Sequence, residues 1–109
     1  MKKIFLLLFC LAIYLYGGAT NLRGQILQGS VNGAKPAANV KVDLYIWNEG
    51  QWVNWAYAIT DKDGFYYFLN FDKDKTFYIA VNGKFYPPKP LTILDIQPPQ
   101  YQDVPTVTI

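Results

Sequence analysis

The 109-residue chain contains no histidine, one cysteine, one methionine and a single serine. Each scarcity removes some chemistry. Without His, neither a Ser–His–Asp nor a Cys–His relay can be assembled, and no imidazole is available to a metal. Ser30 follows Gly29 inside an expected strand and has no base to activate it. Cys10 lies in the leading apolar segment, so no disulfide can staple the rest of the chain. No glycine-rich loop of the phosphate-cradling type occurs.

Charge is also sparse. Lys and Arg number 10 against 8 Asp and Glu, with no basic cluster. Nucleic acid binding, which needs clustered cations, has no support. Lys2 and Lys3 open a stretch that continues with the uncharged run Ile4 to Tyr16 and the small residues Gly17-Gly18-Ala19. That is the layout of a secretory signal peptide, with cleavage expected after Ala19. A membrane anchor is the competing reading, but the run falls short of the roughly 20 residues a spanning helix needs. Cys10 is preceded by Phe9, where a lipoprotein signal would have a small residue. The expected organisation is therefore a signal peptide over 1–19 and one domain over 20–109, with no membrane span in the mature chain. Its destination is extracellular, cell-surface or periplasmic. Losing Lys2 and Lys3 leaves that domain formally neutral, which removes one barrier to self-association.

What the chain has in plenty is aromatic: 17% of residues are Phe, Trp or Tyr. A domain this small folding without disulfides stands near the lower limit of a single core. Large aromatic side chains compensate by burying more area each.

The apolar residues alternate. Gln25 to Val31 reads as a first strand with Leu27 and Val31 on one face, followed by the turn chemistry of Asn32-Gly33-Ala34-Lys35-Pro36. Val40, Val42, Leu44 and Ile46 then alternate with polar or outward residues. After the turn Asn48-Glu49-Gly50-Gln51, the residues Val53, Trp55, Tyr57 and Ile59 do the same. A loop of this length pairs Trp47 with Trp52, Ile46 with Val53, Leu44 with Trp55, Val42 with Tyr57 and Val40 with Ile59. Large apolar residues then meet on one face, and a one-residue slip would destroy the match.

Thr60-Asp61-Lys62-Asp63-Gly64 is a tight acidic turn, and its flanks predict a β-hairpin. Phe65 to Leu69 and Thr76 to Val81 predict a second hairpin, with Tyr66, Phe68, Phe77, Ile79 and Val81 inward. Phe85 to Pro90 must be irregular or edge structure, since proline cannot donate to a ladder. Leu91 to Ile96 and Thr106 to Ile109 read as further strands. No helix signal follows Ala19. The whole predicts an all-β sandwich of about seven strands.

Several segments resemble the carboxypeptidase regulatory-like domains, a transthyretin-like family. These are Leu27-Gln28-Gly29-Ser30-Val31, Pro36-Ala37-Ala38-Asn39-Val40, the turn from Thr60 to Phe68, and Phe77-Tyr78-Ile79-Ala80-Val81. The resemblance covers roughly residues 25–86. It implies a seven-stranded Greek-key β-sandwich and little about activity, since such domains are usually accessory or surface modules; no cofactor is expected. Hydroxyisourate hydrolases and intradiol dioxygenases, enzymes on similar sandwiches, rely on His, so this chain cannot run their chemistry.

Carboxylates remain as candidates. Asp61, Asp63, Asp72 and Asp74 lie in two turns, where calcium is one reading. The rest of a calcium loop is missing, and Lys62, Lys73 and Lys75 offset the charge. Turn formation is the preferred role, with no metal, and no carboxylate pair stands out as a glycosidase couple. The expectation is a non-enzyme.

The alternation also turns Tyr45, Trp47, Trp52, Phe65, Tyr67 and Tyr78 outward. Large apolar groups left in water mark an interaction surface unless loops or the Pro-rich C-terminal segment cover them. Assembly with other copies of itself, or with another surface protein, is the preferred reading. Thr20 to Gln25 and Thr106 to Ile109 are candidate strands for donation to a neighbour. The alternative partner is carbohydrate, stacked on Trp47 and Trp52 with Asn48, Glu49, Gln51 and Asn54 as hydrogen-bonding groups.

Overall fold

The computed structural model describes residues 19–30 and 32–109. The expected signal peptide up to residue 18 and the inward role of Val31 lie outside the described residues. Among those described, all regular structure is β: β1 (Ala19–Gln28), β2 (Lys35–Pro36), β3 (Lys41–Asn48), β4 (Gln51–Ile59), β5 (Phe65–Asp72), β6 (Thr76–Val81), β7 (Lys84–Thr92), β8 (Tyr101–Asp103) and β9 (Val107–Thr108). The count exceeds the expected seven because β2 and β9 are two-residue pairings.

The strands form two sheets. In the first, β1 is central: it pairs antiparallel with β2 and β5 and parallel with β8 and β9. The second is antiparallel throughout, in the order β4-β3-β6-β7. The core joins them. Leu22, Ile26, Tyr66 and Phe68 come from the first sheet, Val42, Leu44, Ile46, Phe77, Ile79 and Val81 from the second, and Ile93 and Val104 from the C-terminal stretch. Burial of each large side chain contributes about 1.5–3 kcal/mol of transfer free energy. The two-layer, all-β sandwich expected from the alternation is the fold observed.

Both hairpins around β5 are corrected. β5 pairs with β1, whereas β4 pairs with β3, and β6 lies between β3 and β7. The Thr60–Gly64 turn and the one after β5 therefore carry the chain from one sheet to the other. Period-two alternation states which residues face inward, not which sheet they face inward from. An arch and a hairpin satisfy it equally.

The arch is held by its own side chains. Asp61 Oδ1 accepts from the backbone N–H groups of Asp63 and Phe65, both at 2.9 Å. Thr60, buried, accepts from Val40 N–H at 2.9 Å and donates to the Ala37 carbonyl at 2.5 Å. Gly64 has φ +80°, and its carbonyl accepts from Ile26 N–H at 2.8 Å. Thus the acidic turn ties β1 and the segment before β3 to the crossover.

On β1 the inward face is the other one. Thr20, Leu22, Gly24 and Ile26 are buried, and Leu27 is only half-buried. The pattern of a glycine between two inward apolar residues is met by Leu22, Gly24 and Ile26. Gly24 is required because the Tyr66 ring occupies the space where a Cβ would stand.

Thr20 to Gln25 and Thr106 to Ile109, expected as donated strands, are consumed within the chain. The first pairs with β5 and β8, and Ile109 N–H donates to the Leu27 carbonyl beside β9 at 2.7 Å. The Pro-rich segment is edge strand β7, as its chemistry requires. The strand expected over 91–96 stops at Thr92. Beyond it, the buried Gln102 amide substitutes for a neighbouring strand, accepting from Leu94 N–H at 2.8 Å and donating to the Thr92 carbonyl at 2.9 Å.

Candidate functional site: an aromatic face and an open edge

The β3–β4 hairpin decides what reaches the surface. Trp47 pairs with Trp52 and Ile46 with Val53, as expected. The next steps are Tyr45 with Asn54 and then Leu44 with Ala56, so Trp55 is an extra residue, a β-bulge. Beyond it every side chain of β4 changes face. Ala56 and Ala58 lie half-buried against the core, while Trp55, Tyr57 and Ile59 stand 52%, 64% and 50% exposed. The expectation that these three are core residues is therefore overturned. The physical reason is space: Leu44 and Val42 already fill the layer, and Ala on the facing strand fits where Trp and Tyr would not.

The expected surface residues fall on two faces. Tyr45, Trp47, Trp52 and Tyr78 share the outer face of the second sheet. Trp47 and Trp52 meet edge to face at 5.2 Å between ring centroids, Trp52 reaches Tyr78 at 4.8 Å, and Phe85 of β7 closes the row at 5.0 Å from Tyr45 and 5.8 Å from Tyr78. One aromatic layer thus crosses β4, β3, β6 and β7. Tyr45, Trp52, Tyr78 and Phe85 line an open depression in it. Phe85 was hidden in the sequence by the prolines after it, which require irregular or edge chain and leave its facing open. Instead of covering the patch, this segment adds to it. Trp47 remains 45% and Phe85 52% exposed.

Phe65 and Tyr67 are elsewhere, on the outer face of the first sheet, opposite Gln25 and Arg23 of β1. Tyr67 touches Tyr101 at 5.6 Å. The Arg23 guanidinium lies 5.4 Å from the Tyr101 ring and forms an ion pair with Asp103 at 2.9 Å. This face mixes charge with aromatic surface, whereas the depression on the other sheet is lined by aromatic residues.

Asp61 is engaged by the turn amides, and among the described residues no three His, Cys, Asp or Glu side chains converge in a way that would hold a metal. Tyr66 is buried beneath the first sheet with its hydroxyl unpartnered among the described residues, and desolvation pushes its pKa well above the ordinary tyrosine range. Its position inside the core makes it a packing group. Among the described residues no helix is long and apolar enough to cross a membrane.

No protein-family model matches the chain, and the search of curated proteins gave no significant match. Solved structures do resemble it. A provisionally assigned carbohydrate-binding protein from Pseudomonas aeruginosa superposes with a TM-score of 0.55 at 19% identity, over 84% of this chain and 89% of that one. The major plantain pollen allergen does so at 0.54 and 11% identity, over 83% and 91%. The major pilin subunit of Bacillus cereus gives 0.46 at 13% identity, over 83% of this chain and 29% of the pilin. At these identities the first two establish a shared β-sandwich fold, and the third carries no weight.

Proposed function

We propose that the chain is a secreted, non-enzymatic β-sandwich that serves as a structural or assembly subunit at the cell surface or in an extracellular polymer. It docks a protein through the aromatic outer face of its second sheet. The observation that carries this reading is the continuous row Trp47, Trp52, Tyr45, Tyr78 and Phe85 across four strands. Interfaces concentrate such side chains at their centres. Membership of the carboxypeptidase regulatory-like family, with its surface role, belongs to the same proposal.

The rings favour a protein over a sugar. Trp47 and Trp52 are inclined at 66°, and Trp52 and Tyr78 at 51°, so they offer no flat platform for a pyranose. The depression is lined by no amide or carboxylate side chain to pair with sugar hydroxyls. Fold similarity to a carbohydrate-binding protein does not supply those groups.

The test measures how much of the secreted protein remains bound to the surface of the cells that make it. Trp52→Ala with Phe85→Ser is expected to lower retention about thirtyfold, the loss of roughly 2 kcal/mol typical of an interface hot spot. Tyr67→Ala, on the other sheet, serves as the control. Equal retention of all three proteins would refute the docking face. Glycan-array binding that depends on Trp47 and Trp52 would replace protein by carbohydrate.

A further inference from the structure

The flank formed by β4 is an unfinished sheet. β4 ends the order β4-β3-β6-β7, so among the described residues the backbone groups on its far side have no strand to pair with. The opposite end of the same sheet is protected. β7 carries Lys84 and Lys89, and Pro87, Pro88 and Pro90 remove amide donors from it. β4 has neither device. Its sequence Gln51-Trp52-Val53-Asn54-Trp55-Ala56-Tyr57-Ala58-Ile59 has no charge, proline or glycine. Among strands of eight or more residues, β1 has Arg23, β3 Lys41 and Asp43, β5 Asp72 and β7 two lysines; β4 alone is uncharged.

We infer that β4 pairs with β4 of a second copy, antiparallel about a two-fold axis at Tyr57, joining two second sheets into one continuous sheet. The inference rests on the assembly reading above but uses an edge of the sheet, not its aromatic face.

Charge selects this occupant. A two-fold contact sets each side chain near its own copy, so any charge near the axis meets the same sign. An uncharged strand is suited to that arrangement. The blocked β7 edge prevents β4 from pairing head-to-tail with the next molecule's far edge, so the contact closes as a dimer. The bulge at Trp55 sets the register. The regular stretch after it, Ala56 to Ile59, is the part able to form an even ladder. Centring on Tyr57 sets Tyr57 against its own copy, and the bulged Trp55 then flanks the partner's Ile59 at the end of the ladder. These are the side chains that the bulge leaves exposed by half or more.

Three proteins and one cross-link test this. Light scattering and analytical ultracentrifugation of the secreted chain from 1 to 100 µM should show a dimer. Tyr57→Glu places two carboxylates at the axis and should give a monomer. Within one molecule that glutamate stands across from Asp43 and within reach of Lys41, whose ammonium lies 4.9 Å from the Tyr57 ring, and circular dichroism checks that the variant is folded before its size is read. Tyr57→Cys, in a Cys10→Ser background, should oxidise to a covalent dimer, because opposed residues of an antiparallel pair have Cα atoms about 4.5–5.5 Å apart, within disulfide range. Phe85→Ser should leave the dimer intact. A monomeric wild type at 100 µM overturns the inference, as does a dimer that resists Tyr57→Glu or a dimer whose Tyr57→Cys variant fails to cross-link. Loss of the dimer with Phe85→Ser alone would also overturn it, while leaving the aromatic docking face standing.

Discussion

Leu44 stands across the ladder from Ala56, and Trp55 is expelled between the paired positions. This one-residue slip converts an apparent core strand into a surface edge. It predicts an asymmetry in stability. Leu44→Ala, at a fully buried site, should cost about 2–5 kcal/mol in urea unfolding. Trp55→Ala should cost about 1 kcal/mol or less, because the indole is 52% exposed. A Trp55 variant as damaging as the Leu44 variant would place the indole in the core and remove the bulge.

That slip also marks where the sequence ceased to be legible. The inward sets Val42, Leu44, Ile46 and Phe77, Ile79, Val81 follow from alternation alone and are buried. So does the outward placement of Tyr45, Trp47, Trp52 and Tyr78. A bulge leaves no mark in an alternating pattern when the residues on both sides of the strand are apolar, as in Trp55-Ala56-Tyr57-Ala58-Ile59. Size was the available signal: two alanines on one face suit a position opposite Leu44 and Val42. Sheet assignment was illegible for a different reason. The Thr60–Gly64 turn has the local chemistry of a tight reversal, yet the strands it joins part, and Tyr66 and Phe68 enter the core from the first sheet. Phe85 joined the aromatic row unforeseen because reading Phe85 to Pro90 as irregular or edge structure left open which way its side chains face.

The arch after β4 should be the most substitution-sensitive turn among the described residues. Asp61→Ala removes the acceptor of two backbone amides and should cost about 1–2 kcal/mol, as the loss of a helix cap does. Asp61→Asn keeps one acceptor oxygen and should recover most of that. Gly64→Ala combines a positive φ with a Cβ directed at the Ile26 carbonyl oxygen, so it should cost more than either. Thermal unfolding of the three variants gives the ranking. A tolerated Gly64→Ala would mean that β1 and the arch are not in contact.

Tyr66 packs its ring over Gly24, and a buried phenol with no partner among the described residues links stability to alkaline pH. Burial holds the Tyr66 proton above the ordinary value of about 10. The folded state therefore keeps that proton while the unfolded chain releases it. The contribution is fully present below about pH 10, and stability then falls as pH rises toward the folded-state value, at about 1.4 kcal/mol per pH unit for one group. Tyr66→Phe keeps the ring over Gly24 and deletes the unpaired hydroxyl. At pH 7 it should be neutral or about 1 kcal/mol more stable, since no hydrogen bond is lost. Above pH 10 the gap in its favour should widen with that same slope. The other tyrosines are common to both proteins and cancel in the difference. Urea unfolding of both between pH 8 and 11.5 reads the gap directly, and parallel curves over that range would show that the phenol reaches solvent or a partner.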